Sequence, residues 1–473
     1  MIKSVNDFQK PFFIGVAGAG MSAIAQYLQG IGKEVSGSDR YFHPGEYNET
    51  KEKLEAEGIK CFLQNGEGIT AETDLVVAST AIEDTVVEII KAKELNIPII
   101  RRAELLALIA QSKKTIAVGG TSGKSTTSAM LFEILQHAGL EPSIISGAGL
   151  TSIIKEGKIG NAKVGNGDWL VIEADESDGS IVLYTPEVGL LLNIDKDHKE
   201  IDVLMDIFNQ FKQHTKEFFV VNQSHTLAKQ LSANPAFNFS VDETDDAAFH
   251  ATDFKQEGFK ISFTVKHKSI NTNDSPLTTD DCRFTLHALG KHNMENALAA
   301  ATVAGLIGVP LQTSAEALKQ YEGIYRRHQI LGQKNGVWLI DDYAHNPAKC
   351  AASIEACQPL AKKVIAWFQP HGFAPTKFLR NDFVEEISKV LRPQDEIWMS
   401  EIFYAGGTTT KDISANDLIT DLKAKGSNAF FAENRNDLLQ LVRPHFTEDC
   451  VLLLMGARDP GLEQFAKKVW DEL

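Results

Sequence analysis

Short, continuous apolar runs recur along this chain, each followed by a polar burst and then by apolar residues at helical spacing. Phe12–Ala17 is the first such run, as expected for a strand buried on both faces of a parallel sheet. Met21–Gly30 carries the 3.6-residue period of a helix, and Glu34–Gly37 starts a strand ending in Ser36-Gly37-Ser38-Asp39. Leu75–Ala78 and Ile97–Ile100 predict further strands, with a helix at Thr85–Leu95 between them. Alternating strands and helices imply an open parallel sheet with right-handed crossovers. This pattern defines a first domain over residues 1–112.

The pattern then restarts. Thr115–Val118 predicts a strand and Thr127–His137 a helix; Trp169–Glu173 and Val188–Ile194 are strands ending in acidic and polar residues, and Phe218–Val221 continues the series. Ala247–Leu289 alternates as antiparallel strands do, with the polar stretch Ser269–Asp281 as a loop. An alanine-rich helix from about Met294 to Ile307, and another before Tyr325, complete a second domain over residues 113–330. Val337–Ile340, Val364–Phe368, Glu396–Met399 and Val451–Met455 are the strands of a third, over residues 331–473. The expected class is α/β in three domains: a Rossmann-like one, a central phosphate-loop one with added antiparallel strands, and a second Rossmann-like one.

Composition narrows the possibilities. The chain has 473 residues, room for about three domains of ~150 residues. A formal net charge of −16 argues against nonspecific binding to nucleic acid or an anionic membrane. Five dispersed cysteines with no CxxC pair indicate neither a disulfide framework nor a zinc site. The first residues lack the apolar core of a signal peptide, and no apolar run reaches the ~18 residues of a membrane span. A cytoplasmic monomer or homodimer is expected.

The chemistry lies at the strand ends, where open α/β sheets bind ligands. Gly119-Gly120-Thr121-Ser122-Gly123-Lys124-Ser125-Thr126 sits between a strand and a helix. In such a loop, backbone N–H groups cradle phosphates, the lysine reaches the β/γ-phosphates, and the next hydroxyl binds Mg²⁺. Val118 stands where the full Walker A pattern has its first glycine, so this is a shortened form. Gly18-Ala19-Gly20-Met21-Ser22-Ala23 fits the dinucleotide turn, with Asp39 placed to bond a ribose or base. That turn suits a UDP-sugar, a nicotinamide cofactor or no ligand at all. Two phosphate loops in succession point to a synthetase before a P-loop ATPase or a nicotinamide-dependent oxidoreductase. Glu173-Ala-Asp-Glu-Ser-Asp178 and Asn193-Ile-Asp-Lys-Asp-His198 add oxygen donors, with Glu173 and His198 as candidate Mg²⁺ ligands.

Taken in order, Gly120-Thr-x-Gly-Lys-Ser-Thr, Glu173-Ala-Asp-Glu-Ser-Asp, Asn193-Ile-Asp-x-Asp-His198, Gly290-x-His-Asn-x-x-Asn296, Arg326-Arg327 and Asp342-Tyr-Ala-His-Asn-Pro347 resemble the Mur ligases over nearly the whole chain. These are the ATP-dependent amide-forming enzymes of bacterial cell-wall precursor synthesis. Gly18-Ala-Gly-Met-Ser, Ser36-Gly-Ser-Asp39, Arg102-Ala-Glu and Phe368-Gln-Pro-His371 narrow the resemblance to the branch that adds L-alanine to UDP-N-acetylmuramate and its near relative that adds a murein tripeptide.

The resemblance implies roles. Gly120 to Thr126 would hold ATP, with Lys124 on the β/γ-phosphates and Ser125, Glu173 and His198 around Mg²⁺. His292, Asn293 and Asn296 would meet the adenine side, and Arg327 and Asp342 would close on ATP. Gly18, Ala19, Gly20, Met21, Ser22, Ser38, Asp39, Ser79 and Arg102 would hold the UDP-sugar, and Tyr343, His345 and His371 the incoming amine. The chain also departs from the L-alanine branch. Ser122 stands where that branch has histidine, Ala344-His345-Asn346-Pro347 where it has Gly-His-His-Pro, and Gly372 where it has arginine. The last two fall where the amine would be selected.

Overall fold

The computed structural model describes residues 2–79, 82–196, 199–268, 279–404, 406 and 410–473. The chain folds into two compact units. One comprises Met1–Thr252, Thr264–Phe284 and Glu295–Ile324; the other Asp253–Phe263, Thr285–Met294 and Tyr325–Leu473.

In the first unit, β1 (Pro11–Ile14), β2 (Ser36–Asp39), β3 (Lys60–Leu63), β4 (Leu75–Ala78) and β5 (Ile99–Arg101) form a parallel sheet in the order β3-β2-β1-β4-β5. Strand order reverses between β1 and β4, so the ligand crevice lies beyond their carboxyl ends. There the chain passes from β1 into α1 (Ala19–Gly30). The other helices here are α2 (Glu49–Ala56), α3 (Val87–Glu94) and α4 (Arg102–Gln111). The outer strand β3 escaped the sequence reading because Lys60-Cys-Phe-Leu is only partly buried and forms no long apolar run.

A second sheet in the same unit contains β6 (Lys114–Gly119), β7 (Ser143–Ile145), β8 (Ala162–Lys163), β9 (Trp169–Glu173), β10 (Val188–Leu191) and β11 (Phe218–Val221). Its order is β11-β10-β6-β9-β7-β8, parallel except for β8 against β7. Central β6 has β9 and β10 as neighbours, with Val118 opposite Glu173 and Gly119 opposite Leu191. The polar residues that follow these three strands therefore emerge at one edge. One continuous core joins the two sheet layers, from Phe13, Ile24 and Leu28 to Leu170, Ile172 and Phe208. A smaller sheet, β12 (Phe239–Ser240), β13 (Phe249–Glu257), β14 (Lys260–Lys268) and β15 (Thr279–Leu286), runs in that order. The expected loop at Ser269–Asp281 lies outside the described residues over 269–278, and β15 takes up its last part.

The second unit is built on β16 (Gln329–Lys334), β17 (Val337–Asp342), β18 (Lys363–Gln369), β19 (Glu396–Met399), β20 (Ala429–Phe431) and β21 (Cys450–Gly456). Their order is β16-β17-β21-β18-β19-β20, with only β16 antiparallel among these pairs. Apolar side chains pack on both faces. β17 and β18 flank β21, so the segments after Asp342 and after Gln369 leave the sheet at the same edge. No helix among the described residues is long and apolar enough to cross a membrane.

Candidate active site

The phosphate loop turns between β6 and α5 (Lys124–His137). Gly123 caps the helix at φ +83, and a Cβ there would lie 2.5 Å from Asn296 Oδ1. Glycine is required for both reasons. Asn296 Oδ1 also accepts from Thr127 Oγ1 at 3.2 Å, which fixes the start of α5. The first α-helical bond on this turn is Thr127 N–H to Gly123 O, which leaves the amides of Lys124, Ser125 and Thr126 as the helix's unsatisfied donors.

Asn193, just beyond β10, clamps the loop. Its Oδ1 accepts from Ser122 N at 2.8 Å and Thr121 Oγ1 at 2.9 Å, and its Nδ2 donates to Ser122 O at 3.1 Å. Thr121 also accepts from Asp195 N at 3.0 Å, so its hydroxyl faces β10. Ser122 Oγ is buried and has no hydrogen-bond partner among the described residues. Lys124 Nζ donates to Gly120 O at 2.7 Å and to Glu176 Oε2 at 2.6 Å, with Asp175 Oδ1 3.9 Å away. Burial alone would lower the Lys124 pKa; the carboxylates of Glu176, Asp175 and Glu173 outweigh it and hold the ammonium charged. Glu173, at the end of β9, accepts from Ser125 Oγ at 2.9 Å, Ser146 Oγ at 2.6 Å and Gly147 N at 2.6 Å. His198 lies outside the described residues.

At the first loop, the opening i→i−4 bond of α1 is Ser22 N–H to Gly18 O, which leaves the amides of Ala19, Gly20 and Met21 unused by the helix. Arg102 lies over Gly20 and donates to Asp178 Oδ2 at 3.0 Å. Other side chains expected here turn elsewhere. Met21 packs in the core, Ser38 is buried and donates to Glu88 Oε1 at 3.1 Å, and the buried Ser22 bonds within the fold. Asp39, expected to be free for a ribose or base, spends its oxygens on Ala17 N and Tyr41 N, both at 3.0 Å. Ser79 O accepts from Arg101 Nη1 at 2.9 Å. Ser22, Ser38 and Asp39 thus shape the loop from within.

The second unit collects the remaining candidates. Buried Asp342 ends β17; Ser353 Oγ donates to its Oδ2 at 2.6 Å, and His328 Nε2 lies 3.5 Å from the same oxygen. Burial would raise this carboxyl's pKa, but His328, Ser353, Arg327 and His292 together hold it below the usual range. The Arg327 guanidinium sits 4.9 Å over the Tyr343 ring. His345 Nδ1 donates to Tyr343 O at 2.9 Å, a tautomer fixed because a carbonyl only accepts, and its ring lies 5.6 Å from that of His371. Burial, with Lys349 nearby, holds the His345 pKa well below the ordinary value, so Nε2 carries a free pair of electrons near neutrality. Asn293 Nδ2 donates to Leu289 O at 2.7 Å. Arg326 is a framework residue: it grips Asp341 at 2.8 and 3.2 Å and Gly456 O at 3.2 Å. Gly372 holds φ +72, and a Cβ there would meet Pro375 Cδ at 3.2 Å. Lys377 pairs with Asp412.

His292 stacks on His328 with 5.3 Å between ring centres, and burial pushes its pKa down to about 3. The folded protein therefore leaves it neutral while the unfolded chain protonates it below ~6.5. Its contribution to stability is complete above pH ~6.5 and is lost as pH falls toward 3. His292→Gln should flatten the acid limb of Tm against pH, by about 1–2 kcal/mol between pH 6.5 and 5. Equal acid limbs for the two proteins would remove His292 as the source.

Three family models match consecutive parts of the chain: the catalytic domain of the Mur ligase family over residues 12–114, the Mur ligase middle domain over 118–304, and the Mur ligase glutamate ligase domain over 326–458. The chain belongs to the Mur ligase family, and its architecture is the three-domain α/β one of that family. Among curated relatives, the UDP-N-acetylmuramate–L-alanine ligase of Carboxydothermus hydrogenoformans is 33% identical over 460 residues, covering 94% of this chain and 93% of the relative. That of Clostridium kluyveri is 34% identical over 464 residues, covering 95% and 96%. Among solved structures, the UDP-N-acetylmuramate–alanine ligase of Thermotoga maritima superposes with a TM-score of 0.76 at 24% identity, covering 98% of each chain. A murein peptide ligase from Psychrobacter arcticus gives 0.68 at 21% identity, also covering 98% of each.

Asn193, Glu176, Ser146, Asn161 and Asp178 were not selected from the sequence as site residues. Asn193, Glu176 and Asp178 stand inside motifs that carry the resemblance through other members, so the motif is the signal and only the side-chain direction is missing from it. Ser146 and Asn161 lie in Ser146-Gly-Ala-Gly and Gly160-Asn-Ala, which carry no chemical signature of their own.

Proposed function

We propose that this protein is an ATP-dependent ligase that joins L-alanine to the carboxylate of UDP-N-acetylmuramate through an acyl phosphate. The observation that carries the reading is the convergence of Lys124, Ser125 and Glu173 at one sheet edge, with Arg102, which lies over Gly20 of α1, bonded to Asp178 of the same acidic segment. The amides of Lys124 to Thr126 and the Lys124 ammonium would grip the ATP phosphates. The sugar-nucleotide carboxylate attacks the γ-phosphorus, the bond to the β,γ-bridging oxygen breaks, and ADP leaves. The amine nitrogen then attacks the acyl carbon and phosphate departs. Charge spreads over the transferring oxygens, and Lys124 is the cation placed to stabilise it.

Ser125 Oγ and Glu173 Oε2, 2.9 Å apart, are hard oxygen donors that suit Mg²⁺, an ion that keeps water and phosphate in the rest of its shell. When bound there, it would neutralise phosphate charge. Glu173→Gln should raise the Mg²⁺ concentration for half-maximal turnover about tenfold, because a neutral amide binds a hard cation less well. An unchanged Mg²⁺ titration would remove Glu173 from this role.

On the second unit, His345 Nε2 is the acceptor proposed for an N–H of the incoming amine, with His371 and Tyr343 beside it; Arg327, Asp342, His292 and Asn293 are assigned to the nucleotide. Domain borders at 112 and 330, and a cytoplasmic setting, belong to the same reading. The test is phosphate release from ATP and Mg²⁺ with UDP-N-acetylmuramate and a panel of amines. L-Alanine should give the highest kcat/KM; clear preference for L-Ala-γ-D-Glu-meso-diaminopimelate would move the protein to the tripeptide branch. Turnover independent of any sugar nucleotide would sink both.

A further inference from the structure

Asn161, only 2% exposed, precedes β8 in the second sheet, yet its side chain is spent entirely on α1 of the first domain. Its Nδ2 donates to Ala19 O at 2.7 Å and Ser22 Oγ at 2.9 Å, and its Oδ1 accepts from Gln26 Nε2 at 2.7 Å. A carbonyl such as that of Ala19 only accepts, so the orientation of the amide is fixed. Ala19 and Ser22 bracket the turn whose amides α1 leaves unused, beyond the carboxyl end of β1 where open sheets bind ligands.

The backbone of Asn161 leads the other way. Its carbonyl accepts from Ser146 N at 2.9 Å, Ser146 Oγ donates to Glu173 Oε1 at 2.6 Å, and Glu173 Oε2 accepts from Ser125 Oγ at 2.9 Å. A continuous chain of short hydrogen bonds thus runs from the first turn of α1 to the phosphate loop. A second strut lies beside it, from Arg102 through Asp178 to the segment that holds Lys124 through Glu176.

We propose that Asn161 is a positioning residue: it shapes the α1 turn for the anionic half of the sugar nucleotide and couples occupancy of that turn to the Glu173–Ser125 pair. The inference rests on the proposed function. A turn already held in its binding shape loses little freedom when phosphate arrives. Because the same residue anchors Ser146, ordering one loop orders the carboxylate beside the other, and linkage makes the effect reciprocal.

The test is equilibrium binding of a non-hydrolysable ATP analogue with Mg²⁺ to the full chain, with and without UDP-N-acetylmuramate. In the unaltered protein, the sugar nucleotide should tighten the analogue at least about fivefold, the low end of ordinary coupling. Asn161→Asp keeps size and the acceptor for Gln26 but removes both donors. It should raise the Kd of the sugar nucleotide about tenfold, leave the analogue's Kd alone unchanged, and reduce the coupling to within about twofold. Ser146→Ala touches neither ligand turn; it should reduce the coupling while sugar-nucleotide affinity stays the same. A merely structural role would instead lower Tm and leave both Kd values and the coupling intact, which overturns the proposal. So does absence of coupling in the unaltered protein, or coupling retained in Ser146→Ala. Failure of the unaltered protein to bind UDP-N-acetylmuramate at all would instead overturn the functional reading, and the inference with it.

Discussion

Lys124→Ala should lower the rate of acyl-phosphate formation about a thousandfold or more, ~4 kcal/mol in barrier. Lys124 is the one cation in its loop, and the proposed reaction develops charge on a phosphoryl group that this loop would hold. The substitution has a second effect that must be separated from the first. It strands Glu176, which is 3% exposed, without the ammonium 2.6 Å away. A buried carboxylate that loses its partner costs several kcal/mol or takes up a proton. The single variant should therefore also melt earlier. Lys124→Ala combined with Glu176→Gln removes both charges, so it should recover much of the lost stability and none of the lost activity. The measurements are Tm and single-turnover acyl-phosphate formation in all three proteins. A folded variant that keeps more than about a tenth of the unaltered rate, under ~1.4 kcal/mol in barrier, sinks the assignment.

The adjacent arginines 326 and 327 should separate stability from activity. Arg326→Ala leaves Asp341, itself buried, without its two-pronged partner and also strips the bond to Gly456 O. Breaking one side of such a pair costs about 3–5 kcal/mol, a drop in Tm of about 10 °C for a unit of this size. Arg327→Ala removes a cation stacked on Tyr343 and should leave Tm nearly unchanged while lowering kcat/KM. If Arg326→Ala melts with the unaltered protein, the pair is not structural. Replacing both Arg326 and Asp341 with apolar residues of similar size should restore most of the loss, because an apolar core avoids the desolvation cost.

The parts of this fold legible in the sequence are those where burial is two-sided. Leu75–Ala78, Trp169–Glu173, Phe218–Val221 and Glu396–Met399 coincide with observed strands because a strand covered on both faces needs an uninterrupted apolar run. Edge strands such as Lys60–Leu63 and Gln329–Lys334 meet water on one side, so their composition blends with that of loops. Within the site, residue types at strand ends were legible and side-chain directions were not. Asp39 has the right type at the right distance from Gly20 for a nucleotide contact, yet two backbone amides occupy it. Arg326 and Arg327 are identical neighbours in the sequence; a positive φ of 54° at Arg326 turns it inward onto Asp341. Such a division depends on tertiary partners 15 to 130 positions away, at Asp341 and Gly456, beyond the reach of local pattern.

Gly372 has a bearing on how this branch can change. Its φ of +72 is a conformation L side chains rarely adopt, and Pro375 lies against the place a Cβ would take. Installing arginine there in one step would cost ~1–3 kcal/mol in backbone strain before the new charge met any ligand. The same arginine introduced after Pro375 has been replaced would meet less resistance. The backbone conformation at 372 thus opposes any side chain on its own, and the proline three residues on adds a second, smaller obstacle. A laboratory lineage selected for the arginine should need a change that relaxes the turn at 372 itself, with a change at 375 helping but not sufficing.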